Sequence, residues 1–227
     1  MSDTRSTLWI ALAACLMASA AACDSAYDSS DEHSKVNGSI HVAAGQAAEA
    51  VSTVNGGIHI DDNAAVDSAG TVNGGIHLGA HATAKSLKTV NGGISVEDGA
   101  HATDVKSVNG DLDVKEGADV SGVLANVNGK ISVTAAHVGG TIKTVNANIT
   151  ITGASHVDGG IFVQKPNGIG FSHNDDPVII IGPGATVQGE LKFERKVVLY
   201  VSDHATIGTV TGATPIPFSG DNPPSSK

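Results

Sequence analysis

The sequence predicts an all-β fold: a single-stranded parallel β-helix, a solenoid of 18-residue triangular coils. Three observations predict it. The phrase opened by Val36-Asn37-Gly38-Ser39-Ile40 returns at Val54, Val72, Val90, Val108, Val127 and Val145, at offsets of 18, 18, 18, 18, 19 and 18, and self-similarity at a fixed short period is the mark of a solenoid. A finer beat of six runs through Val36, Val42, Ala48, Val54, Ile60 and Val66 and on to Val120. Six residues make one short strand plus a turn, and three such units make one coil. Finally, 227 residues include one Trp, two Tyr and four Phe against 28 Gly, so the interior must be built from Val, Ile, Leu and Ala on a regular backbone.

The elements follow in chain order. Residues 1–22 read as an export signal. Leu8 to Ala22 carry no charge, and this run is shorter than the roughly 20 residues that a permanent membrane helix needs. Its end, Ser19-Ala20-Ala21-Ala22-Cys23, resembles the lipobox of bacterial lipoproteins, which implies lipidation of the cysteine. Leu12-Ala13-Ala14-Cys15 matches the usual letters better, but cleavage there leaves Leu16-Met17-Ala18 as an apolar start. Cys23 is preferred because Asp24 to Glu32 switch at once to a polar, acidic composition, that of a disordered tether, assigned here to residues 23–35. An ordinary secretory signal cut after Ala22 is the alternative. Asp24 resembles the inner-membrane retention signal of enteric lipoproteins. Both cysteines of the chain fall in the first 23 residues, so the body has no disulfide framework.

Residues 36–163 form the regular repeats. The alternation places Ile40, Ile58, Ile76, Ile94, Leu112, Ile131 and Ile149 on one side with the aliphatic two residues later, at strand period two. That side is the interior, and Gly, Asn and Asp make the corners. Nine or so coils at about 4.8 Å each give a rod of about 45 Å. The general preference for right-handed crossovers favours the right hand, although the left-handed helices of acyltransferases share a six-residue beat. Asn37, Asn55, Asn73, Asn91, Asn109, Asn128 and Asn146 form a structural ladder of stacked amides, with Asn-Gly expected to supply a positive-φ corner. Ala147 breaks that pattern, so the corner should change shape there.

The Val-Asn-Gly-(Ser/Gly)-Ile units resemble those of bacterial adhesin-type proteins of the DUF4097 family. Gly184-Ala185-Thr186-Val187-Gln188-Gly189-Glu190 and His204-Ala205-Thr206-Ile207-Gly208 resemble the polymer-forming bactofilins. The resemblance covers about residues 36–212. It implies a β-helical shell with no assigned enzyme activity and, on the bactofilin side, end-to-end self-association.

The beat stops after Val163. Pro166 and Pro177 bracket a polar stretch that cannot join a central ladder, so 164–177 are expected to leave the rod as a loop. Strands resume over 178–212. Phe162, Phe171, Phe193, Tyr200 and Phe218 all lie from 162 onward, as expected of a C-terminal cap; a partner-binding surface is the alternative. Residues 213–227, rich in Pro and Ser, are expected to be disordered.

With 13 Lys+Arg against 23 Asp+Glu and a net charge of -10, nucleic acid is excluded as an electrostatic partner. Catalytic residues and cofactors are not expected, because neither the grouped carboxylates of carbohydrate-cleaving β-helices nor the cleft histidine of acyltransferase β-helices can be singled out. No resident metal is expected either. The candidates for zinc, nickel or copper are His41, His59 and His77, which share one outward position on three coils; duplication of a solvent-facing residue explains the same pattern. A second column runs through His101, Asp119, His137 and His156 if the extra residue of the 19-residue unit follows Val120. The corners Asp61-Asp62, Glu97-Asp98 and Lys115-Glu116, whose acids could attract calcium, lack the Ca-binding β-roll motif and read as solvated turns.

The sequence thus points to a non-enzymatic, lipid-anchored envelope protein, periplasmic or on the outer surface. It would act as a rigid structural or adhesion-like scaffold, with an envelope protein or a glycan as partner. A carbohydrate-binding or carbohydrate-active β-helix and a self-polymerising scaffold are the alternatives. If Cys23 carries the lipid, metabolic palmitate labelling is lost in Cys23→Ala and kept in Cys15→Ala; labelling retained in Cys23→Ala refutes the assignment.

Overall fold

A computed structural model describes residues 32–166 and 176–223. Among them every regular element is a strand, and every strand pairing is parallel. Cys15 and Cys23, with most of the proposed tether, lie outside the described residues, as do 167–175 of the proposed loop.

The chain winds into a three-sided solenoid. Ten short strands, from Ile40–Val42 and Ile58–Ile60 to Val198–Ser202 and Pro215–Phe218, stack into one sheet, the first face. At about 4.8 Å per step, its nine steps make a rod about 43 Å long. A second, 15-stranded sheet forms the other two faces. In the early coils its strands run nine residues without a break through the corner between those faces, as in Ala47–Asn55 and His101–Asn109. From the fifth coil the corner opens and each strand splits, as in Asp119–Val120 and Leu124–Ala125. Asp119 pairs with His101, 18 residues back, whereas Leu124 pairs with Val105, 19 back. The extra residue therefore sits in Ser121-Gly122-Val123, after Val120, where a corner absorbs it without disturbing the inward columns.

The core is a set of one-residue columns. The first face contributes Ile40, Ile58, Ile76, Ile94, Leu112, Ile131, Ile149 and Ile179, all buried, with the buried aliphatic two residues on. Small Ala64, Ala82, Ala100, Ala118 and Ala136 fill the inside of the corner that follows. The six-residue beat misplaces one column. Val54, Val72, Val90 and Val108 are only half-buried, and Val36 is 59% exposed. Strand alternation is the reason: Val51 and Thr53 point inward, so Val54 points outward. Its place inside is taken by a polar column that the sequence reading missed. Thr53, Thr71, Thr89 and Ser107 are buried, and each hydroxyl donates to the carbonyl of Gly38, Gly56, Gly74 or Gly92 at 2.9–3.1 Å. Each thereby satisfies a carbonyl at a corner that the strand ladder leaves behind.

The Asn-Gly corners also need correction. Among their glycines only Gly38 and Gly129 have positive φ. The others are glycine because consecutive coils approach too closely for a side chain: a Cβ on Gly92 would lie 2.0 Å from the Gly74 carbonyl oxygen. Positive φ belongs to the next corner, at Gly45, Asn63, His81, Gly99, Gly117, Ala135, Gly153 and Gly184.

Two segments expected to be disordered contain strands. Glu32–Asn37, which overlaps the end of the proposed tether, pairs with the third face of the next coil. Pro215–Phe218, in the proposed tail, pairs with Val198–Ser202 and buries Phe218. Pro215 occupies the column of Ile40, Ile58, Ile76 and Ile94, whose N–H groups donate to the following coil. With no further coil in the described residues, a residue without an N–H belongs there. Pro217 repeats the device two residues on.

The close approach at the Asn-Gly corner makes a direct prediction. Gly92→Ala forces coil backbones apart and lowers stability by roughly 3 kcal/mol. Gly57→Ala, whose added Cβ would meet its nearest neighbour at 3.4 Å, leaves thermal unfolding nearly unchanged. Equal melting temperatures in the two variants would contradict this account.

Candidate functional site

Three outward-facing columns carry the chemistry of the rod. The first is the asparagine ladder, on the rim beside the glycine corner. Each amide donates to the carbonyl oxygen of the preceding asparagine, from Asn55 to Asn37 through Asn146 to Asn128, over six bonds of 2.8–3.0 Å. All amide dipoles therefore point the same way along the rod. The last acceptor, Asn146 Oδ1, is taken by the guanidinium of Arg195, which also donates to the Val145 carbonyl at 3.2 Å. Arg195 lies 49 residues downstream, and no repeat spacing signals it. Ala147 changes the corner as expected: it is buried, and its N–H donates to the Thr144 hydroxyl at 2.9 Å.

The second column lies on the first face. His41, His59 and His77 are in direct register on adjacent strands. The rings of His59 and His77 stack at 4.4 Å, nearly parallel, and those of His41 and His59 lie 5.6 Å apart and tilted. The decisive neighbour is Asp61, at the corner that ends the strand Ile58–Ile60. Its carboxylate reaches His41 Nε2 at 2.8 Å with one oxygen and His59 Nε2 at 3.2 Å with the other. The hydrogen bond from His41 holds the Asp61 carboxyl below the usual carboxylate range. Asp61 was read from sequence as a solvated turn, because the corner's direction relative to the strand decides what it reaches.

His77 differs from its two copies. It faces Glu97 at 3.5 Å, but Glu97 is already engaged by Lys115 at 2.8 Å and by the Ser95 hydroxyl at 2.5 Å. Burial pushes the Glu97 carboxyl up, and those hydrogen bonds outweigh it and hold it low. Burial, and then the neighbouring His59, push the His77 imidazole below its ordinary value.

The third column is on the second face, where His101, Asp119, His137 and His156 pair in register. Asp158, which the sequence reading missed, completes it from the adjoining corner. Asp119 takes His137 Nδ1 on one oxygen and lies 3.7 Å from His101 on the other. Asp158 takes His137 Nε2 at 3.2 Å and His156 Nε2 at 3.0 Å. Gln188 extends the line at 2.8 Å from His156. His137 thus has a carboxylate at each ring nitrogen, an arrangement that suits the imidazolium. The hydrogen bond to Asp119 is the largest cause of its raised pKa; burial opposes it and Asp158 adds to it.

Comparisons with protein-family models, with curated proteins and with solved structures returned no match to the chain. The likeness to adhesin-type and bactofilin repeats therefore rests on the residues quoted above.

Beside the second column the first face sinks into a broad depression of about 540 Å³, bordered by Gly57, Gly75, Gly93, His59, His77 and Asp113. Its floor exists because glycine takes the corner position before the strand in three successive coils.

His137 and His77 respond to pH with opposite signs. His137, raised in the folded state, contributes stability that is fully present below its unfolded value near 6.5 and is lost as pH climbs through the folded value. His77, lowered, costs stability as pH falls below 6.5. Urea unfolding across pH 5–8 is expected to lose its alkaline decline in His137→Gln and to lose part of its acid decline in His77→Gln. Unchanged alkaline slopes in His137→Gln would disprove the assignment.

Proposed function

We propose that the chain is a non-enzymatic lipoprotein of the bacterial cell envelope, a rigid β-helical rod held off a membrane by the acidic stretch after Cys23 and serving as a structural or adhesion-like scaffold. The continuity of the core carries this reading. From Ile40 to Val201 the inward columns of the first face are buried without a gap, so the rod has no hinge among its described coils. Close-packed interiors transmit force rather than yield to it. Its surface is correspondingly poor in anchors, with few large aromatic or arginine side chains of the kind that dominate tight interfaces.

A second reading, glycan binding, is favoured by the depression on the first face, where His59, His77 and Asp113 offer hydrogen-bonding groups above a glycine floor. Stacking of the coils end to end is opposed at the C-terminal edge by Pro215 and Pro217, which withhold the donors a further coil would use.

The scaffold reading expects the full chain in the membrane pellet, released by detergent and not by high salt, with no turnover of a panel of polysaccharides. Release by salt alone, or measurable hydrolase or lyase activity, overturns it. A glycan array read in parallel supports the second reading if binding is lost in His77→Ala.

A further inference from the structure

We propose that His41, His59 and Asp61 form a binding site for a divalent transition-metal ion of the zinc class. The inference is independent of any role as scaffold. His41 and His59 sit on adjacent strands in direct register, at the roughly 4.8 Å spacing of parallel strands. Asp61 follows His59 by two residues, and its backbone is anchored by donation of its N–H to the Val42 carbonyl at 2.9 Å. Two imidazole nitrogens and one carboxylate oxygen lie within 4.8 Å of one another.

Ligands about 2.0–2.1 Å from a tetrahedral zinc ion are roughly 3.3 Å apart. Each imidazole nitrogen already lies beside an Asp61 oxygen, His41 at 2.8 Å from one and His59 at 3.2 Å from the other. The three donor atoms have to close from within 4.8 Å of one another, and both rings are more than half exposed, with the His41 ring tilted and unstacked. Two imidazoles and a carboxylate are the donor set of open zinc sites, with the fourth position left to water. Metal binding at Nε2 moves the proton of a neutral imidazole to Nδ1 and displaces the extra proton of an imidazolium, so acid competes with the metal.

Duplication of a surface histidine accounts for the column, but not for the acid. At the position of Asp61 the first coil has Ala43 and the third Gly79, while the fourth and fifth have Glu97 and Lys115, paired with each other. The carboxylate stands where it can reach two copies of the histidine. His77 is left outside as a wall stacked on His59. In the third column, by contrast, His137 directs one nitrogen to Asp119 and the other to Asp158, which spreads its donors along the rod. Among the described residues only the first-face group converges.

The test is isothermal titration of ZnCl2 into the full chain prepared without a histidine tag, at pH 7.5 and pH 5. One equivalent is expected to bind at pH 7.5, and binding is expected to vanish at pH 5, where protons compete for the imidazoles. Asp61→Asn and His59→Gln should each weaken binding at least tenfold, the loss that even an outer-shell partner can cause. His137→Gln should leave it intact. Circular dichroism melts confirm that each variant is folded, the expected result because none of the three substituted residues is buried. Absence of heat, an unchanged isotherm in Asp61→Asn, loss of binding in His137→Gln, or an equal response to CaCl2 would each overturn the proposal.

Discussion

Consecutive coils must pair residue for residue at the spacing of parallel strands, and everything else in this molecule follows from that requirement. Where the chain turns after Asn55, Asn73, Asn91 and Asn109, the backbone of one coil nearly touches that of the coil before it, and no side chain fits between. Glycine is therefore demanded by contact. The same closeness brings the asparagine amides within hydrogen-bonding distance of their copies, so the glycine column and the asparagine ladder are two effects of one approach. Irregular spacing is tolerated only where it can be absorbed in corners. The added residue near Gly122 and the long step from Ile149 to Ile179 leave the inward columns in register.

Exact stacking also shapes the surface. A residue copied from coil to coil faces its own kind at strand spacing, which is harmless for asparagine and unfavourable for imidazolium. The histidine columns meet this constraint with interposed acids, Asp61 and Asp158 from corners and Asp119 from within the strand column itself. Asp61 lies against His41 and His59, Asp119 and Asp158 flank His137, and each carboxylate serves two coils. His77, whose nearest acid is committed to Lys115, stays neutral more readily. Small changes in which corner carries an acid thus give chemically identical histidines different properties.

The interior and the ends show how the fold disposes of backbone groups that the ladders leave over. Buried Thr and Ser hydroxyls satisfy corner carbonyls through the first coils. Asn126 takes over this role with its Nδ2 on the Gly110 carbonyl at 2.7 Å, while its buried Oδ1 has no hydrogen-bond partner. That orphaned acceptor falls in the 19-residue unit, where the column loses its Thr. At one end of the asparagine ladder Arg195 neutralises the last acceptor, and at the C-terminal edge Pro215 and Pro217 stand where outward donors would otherwise be exposed.

The architecture was legible because a solenoid repeats its local rules. Spacing in the sequence is spacing in space, so the 18-residue period and the alternation around Ile40 and Ile58 state which residues align, and even the position of the extra residue after Val120 could be inferred from the histidine column. Three things lay outside that logic. The inward Thr column and the half-exposed Val54 column depend on strand phase across a corner, which a six-residue beat averages away. The strands at Glu32–Asn37 and Pro215–Phe218 have polar or proline-rich composition, and are ordered only because a neighbouring coil offers its edge. The meeting of Asp61 with two histidines, of Asp158 with His137 and of Arg195 with Asn146 depends on corner direction and on contacts between coils. By itself the sequence determined the winding, the core and the stacked amides, since those repeat with the period; only the tertiary structure decided which corner side chains converge, because a corner's direction is set by packing against the coils on either side.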